Sequence, residues 1–287
     1  MRKKGEQDNS EGVVIYLGEK EHELLVTLYD MLFADIDFVS TYVYPDLAVP
    51  SVHRRIRKME EAGYIKSFST PKADGERIVK VITLDRMGVE EVEALTGEIR
   101  WDTRWTKRTP SFIHHLLQMT KMRGAFQQQE LPDFQLRHWI SERSSYYQYG
   151  QRKEEVIVPD GTAVFRRIMN DKAGDFAYFW EMERSRQRIT VSQNKLRRYN
   201  EYLGRDAISK HPIFLEKPVV TRVCFISATE NEKLRLIEHT KNVDISNIQA
   251  VLYTTYEEII SDPYGEIWVF KDSEPAAKYN MWKIKPS

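Results

Sequence analysis

Asp160 stands in Val158-Pro159-Asp160-Gly161, just after the apolar segment Glu155–Val158. Glu181 and Glu183 close a second apolar run, Phe176–Trp180, 21 and 23 residues further on. Carboxylates at the ends of neighbouring strands can converge, and two or three converging oxygens bind a hard cation such as Mg²⁺ or Mn²⁺. Such a cation could polarise a phosphodiester and activate water. Lys195 and Tyr199 are four residues apart, so on a helix they share one face. A lysine there could stabilise the charge that develops on phosphorus. Glu142, in Ile140-Ser141-Glu142-Arg143, is a candidate further metal ligand beside Asp160 and Glu181. A plainer reading stands next to this one. Asp-Gly after a strand is a turn signal, and Glu-x-Glu is a solvated strand face, because residues i and i+2 point the same way. These residues by themselves leave both readings open.

A second group of residues lies near the start of the chain. Val52, Ile56 and Met59 share one face of an expected helix beginning near Pro50-Ser51, and Arg54, Arg57 and Lys58 lie towards the other. Ser51 and His53 sit at its N-terminal end, where a recognition helix meets base edges in the major groove. Lys66, Lys72 and Arg77 put positive charge on the hairpin that follows, where a wing would lie against phosphates. An amphipathic helix with a solvated basic face is the plain alternative, and a winged helix can also serve protein contacts.

These residues need elements to position them. Leu24, Leu25, Leu28, Met31 and Leu32 recur at helical spacing, Phe38 to Val43 suggest a short second helix stopped by Pro45, and the third ends at Ala62-Gly63. Tyr64–Phe68 and Arg77–Ile82 then read as two strands around the turn signal Pro71 to Gly75. Three helices and a hairpin is the order of a winged helix-turn-helix. A helix over Met87–Leu95 follows. Residues 96–110, with Trp101, Trp105, Arg100, Arg104, Lys107 and Arg108, read as a connection to a long helix over Ser111–Gln129. From Phe134 the chain is rich in strands, interrupted by helices at about 189–203, 230–240 and 256–261, which points to an α/β (α+β) fold with a mixed sheet. The expected division is a mobile arm over 1–17, a winged-helix domain over 18–98, a connecting segment and helix over 99–133, and an α/β domain over 134–287.

Composition sets the outer limits. The chain has 287 residues, 41% hydrophobic, with 43 Lys+Arg against 43 Asp+Glu. That composition excludes a disordered chain, and no apolar run reaches the roughly 18 residues of a membrane span. The polar start has no apolar region of a signal peptide behind it, and the expected compartment is the cytoplasm. The one cysteine, Cys224, excludes an internal disulfide and sits in Val-Cys-Phe-Ile, which reads as a buried strand. His-x-His is absent, and no Gly-rich phosphate loop is present, so a nucleotide is not expected. Tyr146, Tyr147 and Tyr149 read as an aromatic stretch more than as DNA-attacking groups.

Pro159-Asp160-Gly161, an apolar strand closing on Glu181-Met182-Glu183, and a helix with Lys195-Leu196-Arg197-Arg198-Tyr199 together resemble the replication-relaxation family of bacterial plasmids and mobile elements. The stretch Arg54-Arg55-Ile56-Arg57-Lys58-Met59-Glu60-Glu61-Ala62-Gly63-Tyr64-Ile65, the following Leu84-Asp85-Arg86-Met87-Gly88 and His114-His115-Leu116-Leu117 are similar in kind. The resemblance covers about residues 20–205. It implies a winged helix followed by a domain like the PD-(D/E)xK restriction-endonuclease-like nucleases, with Asp160 and Glu181 as metal carboxylates. It also implies double-stranded DNA as partner, a homodimer being compatible, and a role in replication initiation or DNA relaxation by metal-dependent nicking. The chain departs from the nuclease pattern at Glu183, where a lysine is expected; Lys195 could replace it. The alternative is a non-catalytic DNA-binding regulator whose silent nuclease-like domain serves dimerisation or partner contact.

Overall fold

The computed structural model of the protein describes residues 15–71, 78–129, 131–169, 172–183, 189–214 and 218–283. Residues 72–77, which include Lys72, Arg77 and the expected hairpin turn after Pro71, and residues 1–14 of the expected arm lie outside them. The chain divides into two compact units, residues 1–120 and 121–287.

In the first unit, α1 (Glu19–Met31) is followed by a two-residue strand β1 (Ala34–Asp35) and a short helix α2 (Ile36–Phe38) that runs into a π-helical turn, Val39–Val43. Then come α3 (Val49–Glu61), β2 (Ile65–Pro71), β3 (Ile78–Leu84) and α4 (Arg86–Thr96). α3 starts with Pro50 in its first turn, where a missing N–H has no helical partner to lose. It stops before Gly63, whose φ of +75° is a left-handed value that glycine adopts without strain. Val52, Ile56 and Met59 are buried, as their spacing requires. β1 joins the hairpin as a third strand in the order β1-β3-β2, all antiparallel. Two residues are too few to show an alternation, so nothing in the sequence points to this strand.

Towards its base, the hairpin is covered on both faces. Ile65, Ile82 and Leu84 pack into the core under α1 and α3. Phe68, Val79 and Val81, from the alternate positions of the same two strands, pack with Phe33, Leu116 and Trp105.

α5 (Pro110–Gln128) contains the division between the units. The second unit continues with β4 (Phe134–Ser141), β5 (Tyr147–Gln148), β6 (Val156–Ile157), β7 (Gly161–Met169), β8 (Lys172–Met182), α6 (Ile189–Gly204), β9 (Val220–Ser227), α7 (Glu230–Thr240), β10 (Ala250–Thr255), α8 (Tyr256–Ser261) and β11 (Val269–Phe270). Six strands form one mixed sheet, β11-β10-β9-β8-β7-β4. β8, β9 and β10 run parallel, and the other pairs are antiparallel. Parallel neighbours need a crossover, and α6 and α7 supply the two. The fold is therefore mixed α/β. β6 stands apart, paired with β5 in a separate ribbon.

Alternation along β8 sorts its side chains. Ala177 and Phe179 face a core made with Leu196, Tyr199 and Tyr202 of α6. Tyr178 and Trp180 face an aromatic layer in which Phe126 stacks on Trp180 at 5.5 Å and Phe134 stacks on Phe165 at 4.9 Å. Cys224 is fully buried in β9, and burial pushes its thiol above the ordinary range. Among the described residues, no helix is long and apolar enough to cross a membrane.

Gly88 shows how closely α4 meets the hairpin. A Cβ at this position would lie 2.0 Å from the carbonyl oxygen of Tyr64 and 3.1 Å from Leu84 Cδ2. That carbonyl is held by the amide of Asp85 at 3.0 Å, so the backbone has little room to yield. Gly88→Ala is therefore expected to destabilise the first unit by about 1–3 kcal/mol, as overpacking of a filled site does. Urea unfolding of the variant against the wild type measures it.

Candidate functional site

Asp160, Glu181, Glu183 and Lys195 come together at one end of β7 and β8. The geometry corrects one expectation: Asp160 does not end a strand but precedes β7. Because β7 and β8 are antiparallel, with Gly161 opposite Trp180, the head of β7 meets the tail of β8 and the two carboxylates still converge. The Asp160 amide donates to the Trp180 carbonyl at 2.9 Å, and Asp160 Oδ2 accepts from the Met182 amide at 2.7 Å. On the other side of β7, Ser141 of β4 lies opposite Gly161. This puts Glu142 beside Asp160, with carboxylate oxygens of the two within 4.8 Å of each other.

Glu181 is 3% exposed. Its Oε2 lies 2.7 Å from Lys195 Nζ, and its Oε1 accepts from the Tyr199 hydroxyl at 2.6 Å. The sequence spacing gives Lys195 and Tyr199 one face of α6, and the structure turns that face so that both meet the Glu181 carboxylate. Glu183 extends from the end of β8, its amide donating to the Ile226 carbonyl at 2.9 Å. Its Oε1 lies 3.6 Å from Lys195 Nζ and, although buried, accepts no hydrogen bond.

Burial and neighbouring charge set the protonation of the group. Burial pushes the Glu181 carboxyl up to about 7, against the pull of Lys195 and with the help of Asp160. Glu183 is raised by the same burial. Burial alone would lower the Lys195 ammonium, but Glu181, Glu183 and Asp160 outweigh it and raise the group above its ordinary value. Burial, followed by the Glu181 charge, lifts Tyr199 well out of reach of neutral pH. At pH 7 the site therefore holds a cationic lysine, a neutral tyrosine and a carboxyl whose charge burial opposes and Lys195 supports. Such a group can exchange a proton, and its oxygens suit a hard cation.

Other candidates lie elsewhere. Tyr146, Tyr147 and Tyr149 are not part of the cluster; Gln193 of α6, which is not among the expected site residues, donates to the His239 carbonyl of α7 at 2.7 Å. Tyr146 is exposed, while Tyr147 belongs to an aromatic core with Phe179, Tyr202, His211 and Phe214.

In the first unit, His53, Arg54, Arg57 and Lys58 of α3 are exposed and Ser51 is half-buried. Among the described residues, Arg57 pairs with Glu61 at 3.4 Å in an exposed helical pair, of the kind worth a few tenths of a kcal/mol. The structure also brings in Arg55, which the helical period of α3 does not single out. Arg55 hydrogen-bonds to Glu21 of α1 and lies 5.5 Å over the Tyr44 ring, whose hydroxyl donates to the same Glu21 carboxylate at 2.6 Å. Glu21 is 2% exposed. This triad fixes the orientation of α3. Its members are 23 and 34 residues apart, so no local spacing could reveal it.

Burial would raise the Glu21 carboxyl, but the bonds from Arg55, Tyr44 and the Gly18 amide outweigh it and hold the group below its ordinary 4.5. A carboxyl depressed on folding stabilises the native state above its unfolded value and loses that contribution as pH falls through the folded one. Glu21→Gln is thus expected to cost about 1.5–3 kcal/mol at neutral pH, the worth of a charged hydrogen bond. The deficit should shrink below pH 4.5. Denaturant unfolding of both proteins from pH 7 down to pH 3 tests this.

Against known proteins, the sequence profile of the family described as Replication-relaxation matches residues 2–214. No curated protein matches the chain. Among solved structures, the chain is similar to the restriction endonuclease FokI, with 13% identity and a TM-score of 0.32, over 84% of this chain and 42% of that one. FokI bound to DNA gives 13% identity and a TM-score of 0.32, over 86% and 45%. The chain thus spans less than half the length of these structures.

Proposed function

The chain belongs to the replication-relaxation family, and from that premise we propose that it processes DNA, holding duplex through α3 and nicking one strand at the carboxylate cluster with a bound Mg²⁺ or Mn²⁺. The observation that carries this reading is the convergence of Asp160, Glu181 and Glu183 on Lys195. The donor set fits a hard cation, being all carboxylate oxygen, with oxygens of Asp160 and Glu142 within 4.8 Å of each other. Each carboxylate oxygen has two lone pairs, so Glu181 keeps capacity beyond Lys195 and Tyr199. Asp160, Glu181 and Glu142 would hold the ion, which would polarise the phosphodiester and sharpen a water nucleophile.

The chain's own groups have separate tasks in this proposal. Lys195 would face the negative charge that develops on the phosphoryl oxygens. It does so from the following helix, in place of the lysine expected at Glu183. Tyr199 holds the orientation of Glu181, and Glu183 keeps Lys195 charged. On the DNA side, Ser51, His53 and Arg54 lie at the start of α3, towards base edges, while Arg57 and Lys58 lie towards phosphates. Within a winged-helix reading of the first unit, Lys72 and Arg77 would extend that contact along the hairpin. The family's setting suggests an origin or transfer site of a plasmid or mobile element.

One observation favours a second reading. Both Glu181 oxygens are already engaged, by Lys195 and Tyr199, and a closed pair of this kind can serve as scaffold alone. The protein would then be a DNA-binding regulator with a silent nuclease-like domain.

Supercoiled plasmid separates the two. The wild type is expected to yield open circles with Mg²⁺ or Mn²⁺ and none with chelator. Asp160→Asn, which retains an acceptor for the Met182 amide, is expected to abolish nicking and any ion-dependent rise in thermal stability, with duplex affinity intact. DNA affinity without nicking or a metal response in the wild type would leave the regulator. Arg54→Ala is expected to weaken duplex binding by about 1–3 kcal/mol through a lost base contact, and Arg57→Ala to weaken it evenly across sequences with a salt slope shallower by about 1; fluorescence anisotropy with labelled duplex reads both changes.

A further inference from the structure

The segment between α4 and α5 carries four cations and one carboxylate over the nine residues from Arg100 to Arg108. Its backbone is not a loose tether. Asp102 accepts from the Arg104 amide at 2.9 Å and caps a 3-10 turn, Thr103–Thr106. Trp101 lies 6.2 Å from Tyr29 of α1 and 5.9 Å edge-on from Trp105. Trp105, like Phe68 and Val79 of the hairpin, packs against the cluster of Phe33, Val81 of β3 and Leu116. The two tryptophans thus set the segment on the outer face of the β2–β3 ribbon.

Arg100, Arg104, Lys107 and Arg108 are exposed on this anchored segment. Arg104 is held by Asp102, and Arg108 lies 5.2 Å over the Phe112 ring. Among the described residues, neither Lys107 nor Arg108 makes an ion pair with a carboxylate. A hairpin free on one side could offer that side to DNA. Here the side is covered, and Lys80 of β3 is committed to Glu60 at 3.2 Å. Beside the half-exposed Lys66 of β2, further positive charge is carried by the segment that covers this side.

We propose that Arg100–Arg108 is a second DNA-contacting surface of the first unit, taking the phosphate backbone of duplex beside the tract read by α3. The inference rests on the DNA-binding reading above and adds to it a contact that supplies affinity without sequence discrimination. Cations spaced along a rigid surface suit a polyphosphate backbone, and phosphate contacts fix position while carrying no sequence information. Each phosphate neutralised releases counterions, so this surface has its own signature in salt.

The test uses the full-length chain and two labelled duplexes of unrelated sequence, with affinity measured across a range of salt concentrations. The wild type, an Arg100→Ala/Lys107→Ala/Arg108→Ala variant and an Arg54→Ala/Arg57→Ala variant are compared, with melting curves confirming that each remains folded. The triple variant is expected to bind both duplexes more weakly by the same factor. Its slope of log affinity against log salt should be shallower by about 2–3, at roughly 0.9 for each phosphate that is no longer neutralised. An unchanged slope in the triple variant, with the wild type binding and the α3 variant weakened, would overturn this inference alone. No duplex binding by the wild type would overturn it together with the DNA-binding reading.

Discussion

Glu181 and Lys195 face each other at 2.7 Å in the interior of the second unit, and much of that unit is arranged to make this contact tolerable. A buried charge is costly unless it is paired and hydrogen-bonded. Lys195 supplies the opposite charge, and Tyr199 supplies the remaining bond one helical turn later. Since Leu196, Tyr199 and Tyr202 are buried against the same face of the sheet, the pair also fixes the rotation of α6 about its axis. Removing Lys195 would take away the counter-charge, and the buried carboxyl would then take up a proton in place of staying charged. The ion pair thus acts on the packing of the crossover between β8 and β9 as much as on chemistry.

The two units handle charge in opposite ways, which the even balance of 43 cations and 43 anions conceals. In the second, carboxylates gather inside, on an aromatic and aliphatic frame. In the first, the described residues include two buried carboxylates, Glu21, which aims α3, and Asp35, which caps α2. The cations of α3 and of the segment after α4 remain outside. Whole-chain charge averages a buried acidic site with an exposed basic surface, and so reports neither.

How much of this is legible in the sequence depends on whether the signal is local. The inner face of α3, Val52, Ile56 and Met59, follows from helical period, and so does the pairing of Lys195 with Tyr199. The burial of Cys224 follows from its apolar run. Sequence reasoning sets Asp160 near Glu181 through the right residues but the wrong strand end. Val158 and Pro159 look like the close of a strand, whereas β6 is a short ribbon and the strand that matters begins at Gly161. Periodicity gives faces, but not the direction in which a neighbour runs. The Glu21–Arg55–Tyr44 triad joins three elements and leaves no periodic trace. The cover over the hairpin is equally hidden, because Trp101 and Trp105 stand in a stretch with the composition of a linker.

The alternation of β8 has a further consequence. Phe179 and Glu181 point towards α6, while Trp180 and Met182 point away from it. Sliding β8 by a single residue against its neighbours would exchange the two sets. An indole or a thioether would then confront Lys195, and the carboxylate would be driven into the aromatic layer around Phe126. The parity of one strand therefore decides between a polar centre and an inert sheet. A mispaired chain could keep most of its apolar burial and still forfeit every charge interaction at once. Proofreading of the β7–β8 register is in effect written into the electrostatics of the site, since only one of the two parities gives Lys195 a counter-charge.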